Sequence, residues 1–168
     1  MSSRIFLCSD HHLGDTKICH YLDDNGNKNR PYDTIDEMHE SIVELHNSVV
    51  TRSSDKVIYG GDVVIDKSYF PILGLMNGKK RLVRGNHDIF ADKLYYQYFQ
   101  QIHGVKVIAD RKVIITHIPI HSTCIKEGWI NITGHLHRRV IDDPRYRCIC
   151  LEQTEFKPVE LDEVLSCH

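Results

Sequence analysis

The sequence predicts an α/β fold in which two β-sheets pack face to face with helices on the outside. Three observations carry that prediction. Short apolar runs alternate with helical patterns over the first two thirds of the chain. Short strand-like runs dominate the last third. No linker, internal repeat or low-complexity segment divides the 168 residues, which suit one domain spanning 1–168.

Taken in order, RIFLC at 4–8 reads as a buried strand, and the Asn-, Asp- and Gly-rich stretch 21–32 as a loop. Thr34, with Glu37 three residues on, forms a capping box. Ile35, Met38, Ile42, Leu45 and Val49 then recur at helical spacing on one apolar face, and His39 and His46 on the same helix are expected to be exposed or half-buried. KVIYG at 56–60 and RLVRG at 81–85 are further strands, with a short helix expected over 69–76. The segment 92–102 reads as a helix with Leu94, Tyr98 and Ile102 on one side. Strand-like runs follow at 105–109, 112–115, 129–133 and 147–151, and the tail 155–168 ends in a short strand or helical turn.

Composition excludes several classes. A net charge of -2 argues against an extended nucleic-acid footprint, and the local runs KKR at Lys79 and RR at Arg138 read as solvated surface. No apolar run reaches the ~20 residues of a membrane span, and no signal-peptide pattern is present, so a cytoplasmic protein is expected. The six cysteines (Cys8, Cys19, Cys124, Cys148, Cys150 and Cys167) show no CxxC spacing and are expected as reduced thiols, with Cys8, Cys148 and Cys150 in the core.

Twelve histidines invite a metal or acid–base reading. Polar clusters follow five of the predicted strands. Asp10 and His12 follow RIFLCS, Asp62 follows KVIYGG, Asn86 and His87 follow RLVRG, His117 follows KVIIT, and His135 and His137 follow WINITG. Ligands of α/β sheets bind where loops converge beyond the carboxyl ends of strands. Gly60, Gly61, Gly85 and Gly134 permit sharp exits there. Oxygen and nitrogen donors of this kind suit Mn²⁺, Fe, Zn²⁺ or Ni²⁺, and the set exceeds what one tetrahedral ion uses. Two ions sharing a bridging carboxylate, ~3.5–4 Å apart, could clamp a phosphate and activate a water.

The ordered motifs SDHH, GGD, GNHD, TH and GHLH, spread over residues 9–137, resemble the calcineurin-like metallophosphoesterase superfamily. NRPY ahead of EMHE, LMNGKKRLVRGNHD, and THIPI with WINITGHLH further resemble its small bacterial and phage members. The resemblance implies a sandwich of two mixed sheets flanked by helices. It implies one divalent ion on Asp10, His12 and His137 and a second on Asn86, His117 and His135, with Asp62 bridging and Mn²⁺ the expected metal. A metal-bridging hydroxide would attack phosphorus, and His87, not a ligand, would contact the phosphate and protonate the leaving oxygen. Two departures stand out. The superfamily's protein phosphatases carry an Asp three residues after the bridging one, and an Arg after that. This chain has Ile65, then Asp66 and Lys67, which leaves Asp66 or Asp88 to orient His87. Small relatives often show GH after the first motif, where Gly14 and Asp15 stand here.

Expected substrate contacts are Arg30, Asn86 and His87. Arg30 lies in the long loop after the first motif and reads either as a bidentate phosphate ligand or as a solvated loop residue. His11 points away by alternation and suits a supporting or core position; His20, His103 and His168 belong to no cluster, and His121 could reach the site from the loop after His117. The leading function is a dinuclear phosphoesterase for small, nucleotide-like phosphoesters. The rivals are a nuclease of the same superfamily and a non-catalytic metal-bound scaffold. Oligomeric state is not legible.

Overall fold

The structure is a computed structural model that describes residues 3–23 and 25–166; Cys167 and His168 lie outside it. Four parallel strands, β1 (Ile5–Cys8), β2 (Lys56–Tyr59), β3 (Lys79–Val83) and β4 (Gln101–His103), build the first sheet. In the second sheet β5 (Lys106–Ile108) runs antiparallel to β6 (Val113–Thr116), while β6, β7 (Ile130–Thr133) and β8 (Tyr146–Cys148) are parallel. The chain returns as β9 (Val159–Glu160), antiparallel beside β1, to give the order β4-β3-β2-β1-β9. Both sheets are therefore mixed, as expected. The helices are α1 (Ile35–Val49), the short α2 (Asp92–Tyr95) and α3 (Leu161–Ser166).

The period of two sorts each strand's side chains between two cores. Leu7, Ile58 and Val83 face Val113, Ile115 and Ile132 between the sheets, with Leu161 and Val164 of α3 beside them. Phe6, Cys8, Val57, Tyr59 and Leu82 face the other way, against Met38 and Ile42 of α1 and Phe70 and Leu73 of a 3₁₀ segment, Lys67–Leu75. Strands covered on both faces read as continuous apolar runs, which is why 4–8 and 56–60 were legible. Burying Met38 and Ile42 contributes about 1.5–3 kcal/mol each. The Thr34 hydroxyl accepts the Glu37 amide at 3.2 Å, and the Glu37 carboxylate accepts the Asp33 amide at 3.0 Å.

Several local expectations are corrected. Helical turns after Asp92 run only as far as Phe99, whose amide bonds the Tyr95 carbonyl at 2.8 Å; the chain then extends as β4. Pairing the otherwise open edge of β3 outweighs helix propensity there. His39 and His46 are buried, not exposed or half-buried: the His39 ring accepts the Gly14 amide at 3.2 Å, and His46 Nε2 lies 3.0 Å from the Asn77 carbonyl. The 79–81 run begins β3, and Lys80 is buried in it, with burial lowering its pKa. Cys8 and Cys150 are in the core, Cys148 is half-buried, and all five described cysteines are free thiols.

Candidate metal centre

The carboxyl ends of β1, β2, β3, β6 and β7 meet at one place. Backbone bonds sew the exits together: Asp10 donates to the Gly61 carbonyl and His12 to the Asp62 carbonyl, both at 3.0 Å, and Gly134 donates to the His117 carbonyl at 3.0 Å. Asp10, His12, Asp62, His135 and His137 all sit in the left-handed region, at φ 60°, 53°, 52°, 68° and 51°. Non-glycine residues held there cost about 1–3 kcal/mol each and concentrate at functional sites. Elsewhere among the described non-glycine residues only Lys112, Glu155 and Phe156 share that conformation. Two glycines are required by space. A Cβ on Gly85 would stand 2.2 Å from Asp62 Oδ1, and one on Gly134 would stand 2.1 Å from Ser9 Oγ and 2.5 Å from Asp10 Oδ2.

Two ligand groups result. The donor atoms of Asp10, His12 and His137 lie within 4.8 Å of one another, as do those of Asp62, His117 and His135. Asp10 Oδ1 is 3.8 Å from both His12 Nε2 and His137 Nε2. Asp62 Oδ2 stands between the groups, 3.2 Å from His117 Nε2 and 3.9 Å from His12 Nε2. Asn86 Oδ1 joins the second group, 3.0 Å from His117 Nε2. The first group fits a divalent ion by a direct test, since Asp10 Oδ1 and His12 Nε2 are buried without a hydrogen-bond partner, and the oxygen and nitrogen donors of the second group suit another by their chemistry. Atoms so placed cost free energy unless a cation takes them up.

The candidate ligands are themselves held. Asp10 Oδ2 accepts from Ser9 Oγ at 2.6 Å, the His135 amide at 2.9 Å and Cys150 Sγ at 3.2 Å, leaving Oδ1 for the ion. His117 Nδ1 lies 2.8 Å from the Gly60 carbonyl and His137 Nδ1 lies 2.9 Å from Glu152 Oε1, contacts that place the proton on Nδ1 and turn Nε2 to the centre. His12 Nδ1 is 3.4 Å from Asp15 Oδ2, so Asp15 buttresses a ligand at the position where small relatives show His. Burial opposes ionisation of Asp10 and Asp62, but the nearby His12 imidazole and the Ser9 hydroxyl in one case and His117 in the other hold both below the usual carboxylate range. Burial also opposes charge on His12, yet Asp10 and Asp15 push it up to about 9. Both carboxylates are thus held ionised among the imidazoles.

His87 projects over this centre. Its side chain is 55% exposed, and its Nε2 is 4.0 Å from Asp62 Oδ2. Its backbone amide donates to Asp62 Oδ1 at 2.8 Å. Neither expected carboxylate orients the ring. Asp88 accepts the amides of Gly85 and Asp62 at 2.8 Å and of Val63 at 3.0 Å, so it ties the GNHD loop to the GGD loop. Asp66 caps the 3₁₀ segment through Ser68. His11 is a core residue, its ring 4.9 Å from that of Tyr59. His121 is exposed and accepts the Thr123 amide.

Arg30 departs furthest from expectation. It is 0% exposed and faces protein on every side, so its guanidinium is not presented to a substrate. Nε donates to Glu152 Oε1 at 2.8 Å, Nη1 to the His11 carbonyl at 2.9 Å, and Nη2 to the Asp10 carbonyl. Arg138 closes the same loop from outside by donating to the Asn29 carbonyl at 2.6 Å. Glu152 and Ser9 went unread in the sequence. Ser9 could have been found beside Asp10, whereas Glu152 follows no ligand pattern.

A cavity of about 600 Å³ opens beside His12, His87 and His137, walled by Tyr21, Asn29, Leu136 and Arg139. The chain is 30% identical to the uncharacterized protein MJ1445 of Methanocaldococcus jannaschii, over 97% of this chain and 90% of that protein. Its fold matches a protein of unknown function, AQ665, from Aquifex aeolicus with a TM-score of 0.72 at 20% identity, covering 97% and 98% of the two chains. The family model for calcineurin-like phosphoesterases matches residues 3–166, which takes in every strand exit just described. With that match, the chain belongs to the calcineurin-like phosphoesterase family.

Proposed function

We propose that the protein is a dinuclear metal-dependent phosphoesterase that hydrolyses small phosphoesters. The observation that carries this reading is the pair of ligand groups meeting at Asp62, with the buried, unpartnered Asp10 Oδ1 facing the first. Asp10, His12 and His137 would hold one divalent ion, Asn86, His117 and His135 the other, and Asp62 both. Bound there, the ions supply Lewis acidity toward phosphoryl oxygens and lower the pKa of a water to near neutrality. Mn²⁺ is the metal we favour, and its donor preferences overlap those of Fe, Zn²⁺ and Ni²⁺.

The chain's own residues do the rest. His87 stands at the open side of the centre, where its imidazole can donate a proton to the departing oxygen. The amide of His87 is anchored on Asp62, so the acid and the bridging ligand keep a fixed relation. The cavity's size and the net charge of -2 favour a small substrate over a duplex, and Tyr21 offers a ring for a nucleoside-like leaving group. Turnover of a chromogenic phosphodiester and a phosphomonoester with added Mn²⁺ tests the reading. Activity should be abolished by chelator, restored by Mn²⁺, and absent from Asp62→Asn. A protein that binds Mn²⁺ yet turns over neither class is a scaffold, not an enzyme.

A further inference from the structure

The dinuclear reading leaves unexplained why an arginine and a glutamate are both entirely enclosed beneath the site. The side chains of Arg30 and Glu152 are each 0% exposed, and 122 residues separate them. A buried ion pair is a poor source of stability unless its hydrogen bonds are filled, so a pair retained at such a place suggests another use. Here the bonds run toward one ligand group. Glu152 Oε1 accepts from Arg30 Nε at 2.8 Å and lies 2.9 Å from His137 Nδ1. The two Nη atoms take the carbonyls of Asp10 and His11, the segment that two left-handed residues, Asp10 and His12, kink into place. All three members of the first group are thereby touched directly or through the adjoining backbone. No bond from Arg30 or Glu152 to Asp62, Asn86, His117 or His135 exists among the described residues.

We infer that Arg30 and Glu152 are positioning residues for the first metal site alone, so that the loop over 21–32, which carries Arg30, sets the affinity of one ion and not the other. Arg30 Nε fixes Glu152 Oε1 from one side at 2.8 Å. Glu152 in turn holds His137 as the Nδ1–H tautomer, with Nε2 free for the ion. The guanidinium fork also fixes the Asp10–His12 kink. Lysine has charge but no fork, and glutamine at 152 has shape but no charge, so each variant removes one half of the device.

The test is Mn²⁺ titration of metal-stripped protein, with free Mn²⁺ followed by electron paramagnetic resonance. Wild type should bind two ions; fewer than two would refute the dinuclear reading, and this one with it, before any variant is made. An Asn86→Ala/His135→Ala background confines binding to the first site, and a His12→Ala/His137→Ala background to the second. Glu152→Gln and Arg30→Lys should weaken Mn²⁺ binding ~10–100-fold in the first background, the usual effect of removing such a partner, and by less than about threefold in the second. Unchanged affinity in the first background, or equal losses in both, overturns the inference. Circular dichroism in chelator verifies the fold of each variant. If the variants do not fold, the wild type decides. In Zn²⁺-loaded protein, ¹⁵N-histidine spectra should show His137 protonated at Nδ1 with slow solvent exchange. A fast-exchanging Nδ1 proton, or the other tautomer, overturns the inference equally.

Discussion

Within the GNHD turn, adjacent residues divide the work by the direction in which each is held. Asn86 offers a carbonyl oxygen beside His117, and Asp88 turns inward to accept three backbone amides. Burial raises the pKa of Asp88 even against those bonds. His87, between them, is left to face solvent and the cavity. A residue so placed can serve the leaving group, and the need for it grows as the leaving group becomes more basic. General acid catalysis is typically worth ~10²–10⁴-fold. His87→Ala should therefore retain two Mn²⁺ while losing on the order of 10²-fold or more in kcat on an alkyl or nucleoside ester, and much less on a nitrophenyl ester. Equal losses on both would assign His87 to phosphate charge instead of proton donation. Loss of a metal ion would make it a ligand.

At the scale of elements, α1 shows how packing overrules polarity. Its apolar stripe was legible, but the helix is flanked by the 3₁₀ segment and by Asn77, so His46 on its edge is enclosed as well. Burial, only partly offset by the Asn77 carbonyl, drives the His46 pKa down to about 4 from an ordinary 6.5. The fold keeps this ring neutral, whereas the unfolded chain takes up its proton near pH 6.5. Stability linked to His46 is thus full above pH 6.5 and drains away as pH falls toward 4, by on the order of 3 kcal/mol in all. Urea denaturation should show about 2 kcal/mol of that loss at pH 5 relative to pH 7. His46→Gln keeps a donor for the Asn77 carbonyl but cannot titrate, and its stability should depend less on pH by a similar amount. An identical pH slope in variant and wild type would place the acid sensitivity elsewhere.

Across the whole molecule, the centre lies where residues from the two sheets converge. Asp10, His12, Asp62 and Asn86 come from exits of the first sheet; His117, His135 and His137 come from the second. Between the sheets lies an aliphatic core of Leu7, Ile58, Val83, Val113, Ile115, Ile132 and Ile149 with α3, and polar links such as His117 Nδ1 to the Gly60 carbonyl and the backbone bridge between Ser9 and Cys150 lie at the strand ends beside the centre. Ions that bind the folded chain and both sheets at once should act as a staple, adding about 2.7 kcal/mol at a hundred times the dissociation constant. Mn²⁺ should raise the Tm of the wild type by several degrees and that of His117→Ala by less, because the second sheet then loses a ligand. Equal gains in both, read by differential scanning calorimetry, would show that the ions do not depend on the second sheet through His117. Among the described residues no helix is long and apolar enough to cross a membrane.

The residues that the fold gathers into the two candidate metal groups were legible because the signal is local. Each lies within a few residues of an apolar strand, and small or left-handed positions accompany it. The same holds for β1, β2, β6, β7 and the capped start of α1, whose patterns are short-range. What the sequence could not determine was enclosure. Arg30 in an Asn-rich loop reads as a solvated or phosphate-gripping side chain until the segment after β8 runs beside Ser9, through the parallel bridge to Cys150, and brings Glu152 under it. The strand β4 likewise exists because β3 has an edge to fill, and Asp88 is a loop tie because the amides of Asp62 and Val63 arrive from another strand. Residue chemistry and period are properties of the chain. Burial and hydrogen-bond partners across a hundred residues are properties of the packed molecule, and they decided which charged groups face the cavity and which brace the candidate metal groups.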